Sequence, residues 1–196
     1  NGDLFVKTLT DNKINKFKLY IILNKFKYED VILKDKSKII SNVIIKKDDL
    51  FVDNLNINNN FLDILLSGKI KNISYQKPFF DLNLKINDLR AEKLIDILPQ
   101  KINNIQFEPI VNLKKYKIYS KINGNVKIQG KYNKPKVYGS ILASDCYVVK
   151  SFPDVPKAKV DIKFEGDTFN LNTKVYTSKS EFVKILGFSK LYDDKS

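Results

Sequence analysis

The side chains that could carry out catalysis are few in this sequence, and they do not form a group. Histidine, the most common general base and metal ligand, is absent from the 196 residues, and there is one cysteine. Serine and threonine therefore have no histidine to activate them as nucleophiles. The carboxylates in the clearest predicted turns are ones that water would solvate: Asp48, Asp49, Asp193 and Asp194. We predict that the protein is not an enzyme and that it holds no catalytic residue, no metal ion and no cofactor.

The single cysteine and the apolar runs constrain the cellular compartment only weakly. Cys146 has no partner for an internal disulfide and, at the end of a predicted strand, is expected to be a small buried hydrophobic residue. No run of about 18 apolar residues occurs, and residues 1–10 lack a signal-peptide pattern. Because the chain starts without methionine, we expect a segment of a longer protein, with any signal or membrane anchor outside it.

The formal net charge of +13 allows two interpretations. It could attract nucleic acid or a lipid headgroup surface, or it could be a solvated strand face encoded in an A+T-rich genome, which favours Lys, Asn and Ile. Aromatic residues beside lysines, at Tyr116 and Tyr132, could stack on bases. However, Arg90 is the only arginine, and the lysines are spread along the chain without concentrating on one face. A basic single-stranded nucleic-acid-binding β-domain is therefore the weakest alternative, and nucleic acid is not an expected partner.

Residues 122–149 organise the remaining sequence, because they show the period-two alternation of a half-buried β-hairpin. Apolar or small residues share one face on both strands: Gly124, Val126, Ile128 and Gly130, then Val137, Gly139, Ile141 and Ala143. Pro135 lacks a backbone N–H, so we place it in the turn or at the first position of the second strand.

Similar alternation predicts strands along most of the chain. The predicted strands cover residues 3–9, 16–23, 28–33, 38–46, 50–57, 61–70, 79–86, 157–164, 168–177 and 181–191. About twelve strands joined by short turns predict a mainly β fold, an elongated antiparallel meander.

One segment changes to helical spacing. Residues 88–98 are predicted to form a short amphipathic helix, with Asp88 as its N-cap, Glu92 in the first turn and Pro99 just past its end. We divide the chain after this helix into residues 1–99, an N-terminal β segment, and residues 100–196, a C-terminal β segment of the same continuous sheet.

So many strands present an apolar face that one short helix cannot cover. We therefore predict that the sheet folds along its length into a U-section trough with a hydrophobic groove inside and Lys, Asn and Asp outside. Burial of each methylene gives roughly 0.8 kcal/mol, so an acyl chain is a natural occupant. The predicted lining residues are Phe80, Leu82, Leu84, Ile86, Val126, Ile128, Val137, Ile141, Val160, Ile162, Phe164, Phe169, Leu171 and Val175.

Three motifs in series resemble the repeating unit of AsmA-like and TamB-like proteins. The first runs from Leu66 to Leu89 (LSGKI…PFFDLNLKINDL), the second is GNVKIQG…PKVYGSILASD between Gly124 and Asp145, and the third ends in Leu186-Gly187. The resemblance covers most of the chain from Lys16 onward.

The resemblance implies a bridge-like lipid-transport segment in the periplasm of a Gram-negative envelope. It implies an inner-membrane anchor through an N-terminal helix outside this segment, and passive conduction of phospholipid acyl chains between the inner and outer membranes. The family's motifs are structural, so no catalytic residue carries over. An alternative is a scaffold or assembly factor that captures outer-membrane β-barrel proteins at exposed strand edges.

Overall fold

The computed structural model describes residues 2–11, 14–23, 26–28, 31–33, 37–75, 77–97, 101–102, 105–106, 118–148, 157–177 and 180–192. Its strands are β1 (Gly2–Asp11), β2 (Ile14–Leu23), β3 (Phe26–Tyr28), β4 (Val31–Leu33), β5 (Ser37–Lys46), β6 (Asp49–Asn59), β7 (Leu62–Lys71), β8 (Phe79–Arg90), β9 (Lys101–Ile102), β10 (Ile105–Gln106), β11 (Ile118–Lys131), β12 (Lys136–Val148), β13 (Ala158–Gly166), β14 (Thr168–Tyr176) and β15 (Phe182–Lys190). One helix, α1 (Ala91–Ile97), follows β8, and a single 3-10 turn spans Ile73–Tyr75.

The fold is mainly β, as predicted, and is dominated by one open antiparallel sheet of eleven strands. Its order is β1-β2-β5-β6-β7-β8-β11-β12-β13-β14-β15, so every strand pairs with the next large strand along the chain. The sheet fits a curved, trough-like meander. The β8–β11 pairing joins the two halves of the chain, and β3–β4 and β9–β10 form separate small hairpins.

Two local predictions are wrong. Residues 28–33 were expected to form one strand, but Tyr28 ends β3 and Val31 begins β4. The helix was expected over residues 88–98, but β8 continues through Asp88 to Arg90 and α1 has seven residues.

Asp88 is not an N-cap, because it lies within β8 and α1 begins three residues later, at Ala91. The N–H of Asp88 donates to Asn123 Oδ1 (2.9 Å), and the N–H of Arg90 donates to the carbonyl of Phe61 (2.9 Å). The predicted helix end at Leu98 and the stop at Pro99 lie outside the described residues.

Three β-bulges keep the apolar residues of the sheet in phase. The extra residues lie in β6 at Asp53, in β8 near Asp88 and in β12 near Asp145, where the strand registers shift. Asp88 and Asp145 both have φ of 52°, a conformation that aspartate tolerates better than most residues. Without the extra residue, Leu89 and Cys146 would point to the opposite face of the sheet.

Two glycines allow neighbouring strands to approach closely. Gly68 and Gly139 have φ of 128° and 115°, and a Cβ built on them would collide with the backbone oxygens of Asp81 and Asn125 in the next strand. Gly187 in β15 has ordinary backbone angles and would place a Cβ 3.4 Å from the side chain of Leu171. Glycine is thus required at the first two positions and dispensable at the third.

We expect Gly139→Ala to lower the free energy of unfolding by about 1–3 kcal/mol, because alanine is strained at this φ and clashes with the β11 backbone. Gly187→Ala on the same face is the matched control and should change it by less than about 0.5 kcal/mol. Urea unfolding followed by circular dichroism measures both. Equal effects of the two substitutions would contradict the assigned role of Gly139.

Candidate functional site

A row of isoleucines crosses the whole sheet and forms the centre of the candidate site. In strand order from β1 to β15 the paired residues are Leu4, Ile21, Ile39, Ile57, Ile64, Ile86, Gly124, Ile141, Ile162, Leu171 and Gly187. We call these residues the isoleucine row, and the face of the sheet that carries them the inner face. At about 4.8 Å per strand the row follows the sheet for roughly 50 Å.

Parallel rows on either side are also apolar. One of them pairs Leu55, Leu66, Leu84 and Val126 across four adjacent strands. The rings of Phe164 and Phe169, with centroids 6.2 Å apart, extend it into β13 and β14.

The pairing register places all the predicted lining residues on the inner face: Phe80, Leu82, Leu84, Ile86, Val126, Ile128, Val137, Ile141, Val160, Ile162, Phe164, Phe169, Leu171 and Val175. They occupy five consecutive strands, β8 and β11 to β14.

The sequence prediction missed the N-terminal half of the same face. Ile39, Val43, Val52, Ile57 and Ile64 continue it through β5, β6 and β7. Their alternation was visible in the sequence, but the bulge at Asp53 shifts its phase within β6, and only the strand register joins these residues to the others.

Charge is completely separated between the two faces of the sheet. At the register positions of the eleven strands, the inner face carries no Lys, Arg, Asp or Glu; those residues fall on the opposite, outer face or within a bulge. The prediction that the lysines do not concentrate on one face is therefore wrong. Their even spacing along the chain arises because ten of the eleven strands, all except β6, contribute lysines to the outer face.

No second layer of described residues lies over the inner face. Val126 at its centre is only 5% exposed, yet most of its apolar neighbours are half-buried, and no large side chain in the described part of the chain is fully buried. On the concave side of a curved sheet, neighbouring side chains shield one another from water without a covering layer. The inner face is thus the inside of the trough, and the described part of the chain leaves most of it uncovered.

One end of the inner face is partly closed. Phe61, Leu89 and Ala91 are buried there, where α1 packs beside β11. Ser120 Oγ and Cys146 Sγ, 3.2 Å apart, add a polar contact at the same end. Cys146 is half-buried in this pair, so the expectation that it is a buried hydrophobic residue is wrong.

The charged side chains of the outer face are exposed to solvent, and some of them form ion pairs. Lys127 Nζ lies 3.6 Å from Asp81 and Lys163 Nζ lies 2.7 Å from Glu165. The hydrogen bond to Glu165 and its negative charge raise the pKa of the Lys163 ammonium. Exposed pairs of this kind contribute little to stability, so they make the outer face soluble without holding the fold.

The described residues contain no cluster of His, Cys, Asp and Glu suited to a metal ion. None of their helices has the length and apolarity that crossing a membrane requires. Comparisons with protein-family models, with curated proteins and with solved structures find no match to this chain.

We expect the native protein to bind an uncharged solvatochromic dye such as Nile red on the inner face, with the fluorescence lost in urea. Ile141→Asp, which places a charge in the isoleucine row, should weaken dye binding roughly ten-fold or more. Ser140→Asp in the same strand is the control, because Ser140 is exposed on the outer face. A native protein that does not bind the dye, or equal losses in both variants, would contradict an open apolar face.

Proposed function

We propose that this chain is a segment of a cell-envelope protein that conducts phospholipids between the inner and outer membranes, with their acyl chains in the apolar trough. The observation that carries the proposal is the inner face itself: eleven strands wide, without a charge at its register positions, and uncovered by the described residues. Such a surface in water requires an occupant, and hydrocarbon is the one that its chemistry fits.

The geometry of the trough suits an elongated, flexible ligand. The isoleucine row runs across the strands, along the length of the sheet, and offers a similar environment at each step. Because neighbouring positions differ little, a chain lodged there meets no deep energy minimum and can move along the row. Each methylene that leaves water gains roughly 0.8 kcal/mol, which keeps the lipid tails in the trough as they move.

The proposed function does not include catalysis. The polar headgroups would stay in water at the strand ends, and transport would be passive. In keeping with the resemblance to AsmA-like and TamB-like proteins, we place the protein in the periplasm of a Gram-negative bacterium, anchored to the inner membrane through a helix outside this segment.

Photo-crosslinking in cells tests the proposal. A photoreactive amino acid at Ile128, Ile141 or Ile162 should give lipid adducts, because all three face the trough. The same amino acid at Ser140 or Lys159 on the outer face is the control and should give none. Protein adducts from the inner positions, without lipid, would overturn the proposal. Native mass spectrometry of the purified chain then identifies the lipid.

A second candidate function follows from the edge strand β15. It pairs with β14 on one side, and it exposes apolar side chains, with Leu186 68% and Phe188 67% exposed. A long apolar edge of this kind can accept another strand by backbone hydrogen bonding. The alternative is therefore an assembly factor that captures strands of an outer-membrane β-barrel protein.

If β15 captures strands, the double variant Leu186→Lys and Phe188→Lys should lose most of its binding to an unfolded outer-membrane barrel protein, while lipid adducts from Ile141 persist. Tyr147→Lys is the control, because Tyr147 is an exposed aromatic residue of β12, which is not an edge strand. Fluorescence anisotropy with a labelled barrel protein measures the binding. Unchanged binding in the double variant would remove this alternative.

A further inference from the structure

Five lysines from separate parts of the chain lie at one end of the central strands. We call Lys71, Lys77, Lys131, Lys134 and Lys136 the basic tip. In the register, Lys71 and Lys131 lie on either side of Phe79, at the ends of β7, β11 and β8. Lys134 belongs to the turn between β11 and β12, and Lys136 begins β12.

One lysine of the basic tip lies next to a carboxylate: Asp49 Oδ1 accepts a hydrogen bond from the N–H of Asn72, the residue after Lys71 (3.3 Å). Among the described residues, Lys131, Lys134 and Lys136 form no ion pair. Asp81, the nearest carboxylate along β8, already accepts a hydrogen bond from Gln129 (3.0 Å) and pairs with Lys127. Clustered cations without counter-charges create a positive potential that an anionic partner would satisfy.

An open recess of about 590 Å³ lies within the basic tip. Three lysines, two amides and two aromatic rings contribute to its lining: Lys131, Lys134, Lys136, Gln129, Asn133, Phe79 and Tyr138. Within the described part of the chain, no carboxylate lines it. The recess at the opposite end of the strands differs, because Arg90 and Lys121 are accompanied there by Glu92 and Asp145. Of the two recesses, the one within the basic tip therefore has the more positive lining.

The β11–β12 turn, which connects Lys131, Lys134 and Lys136 of the basic tip, is held in place by hydrogen bonds. The N–H of Tyr132 donates to the carbonyl of Pro78 (3.0 Å), and the N–H of Lys134 to that of Lys131 (3.2 Å). The hydroxyl of Tyr192 donates to the carbonyl of Pro135 (2.9 Å). The tip thus presents its lysines and the 51% exposed ring of Tyr132 from a defined backbone.

We propose that the basic tip docks the protein on the headgroup layer of an anionic phospholipid membrane. Lysines beside exposed Tyr and Phe form the combination that suits a membrane–water interface: the ammonium groups meet phosphates and the rings enter the headgroup region. The tip also borders the inner face, since Gly130 and Val137 of the same strand ends lie on it. Docking would bring the rim of the trough to the lipid surface, and to this extent the inference rests on the proposed function.

Co-sedimentation of the whole chain with phosphatidylcholine vesicles, with and without phosphatidylglycerol, tests the docking. The triple variant Lys131→Gln, Lys134→Gln and Lys136→Gln should lose about 100-fold in affinity for the anionic vesicles, roughly 5-fold for each lysine. The control is a second triple variant, Lys7→Gln, Lys16→Gln and Lys18→Gln. It removes the same charge from a recess that also contains Asp53, and its affinity for the anionic vesicles should fall by less than about 10-fold. Replacing the three tip lysines by arginine should preserve binding.

Equal losses in the two glutamine variants would overturn the proposal in favour of diffuse attraction by the net charge. Tighter binding of single-stranded DNA than of vesicles through the same three lysines would replace it with a nucleic-acid surface. Binding of inorganic phosphate alone that depends on these lysines, with vesicle binding unchanged in the variant, would replace it with a free-phosphate site. Lipid adducts from Ile141 report on the trough independently, so failure of docking and failure of lipid conduction are distinguishable.

Discussion

The apolar face of the sheet has to be kept from water, and the main features of the fold follow from this constraint. A flat single-layer sheet leaves such a face fully wet, whereas curvature lets neighbouring side chains shield one another. The result is a centre as protected as Val126 without a second layer of described residues. Bulges at Asp53, Asp88 and Asp145 serve the same constraint, since each restores the phase of the apolar residues after a local interruption. The bulged residues are all aspartates, so the phase is corrected without adding apolar surface.

Much of the sheet can be predicted from alternation, but its phase cannot. The alternation from Phe80 to Ile86 predicts a strand and its apolar face, because a half-buried strand has a period of two residues over that length. The shift at Asp88 arises in the pairing of β8 with β11, where the Asp88 N–H donates to Asn123 Oδ1, 35 residues away in the sequence. The same pairing overrides the helical spacing that begins near Leu89, because that residue pairs with Ile122 before α1 starts.

The two faces also differ in how far the sequence reveals them. Candidate lining residues could be chosen from local pattern alone, because hydrophobic residues at every second position indicate which face of a strand is apolar. The basic tip could not be predicted, since Lys71 and Lys136 come to the same end of the sheet only through the pairing of β7, β8, β11 and β12. An A+T-rich composition explains why lysine is frequent, but it does not explain why the described lining of one recess contains lysines and no carboxylate.

The consecutive order of the strands has a consequence for cooperativity. Within the main sheet, the substantial contacts of each strand are with the strands on either side of it. Stability is then close to a sum of nearest-neighbour terms, as in a linear array of repeats, and no single nucleus must form before the rest. Such an array frays inward from β1 and β15 and persists longest around β8 and β11. The same property would allow strands to be gained or lost at either edge during evolution, with each change altering the length of the molecule and leaving its cross-section intact.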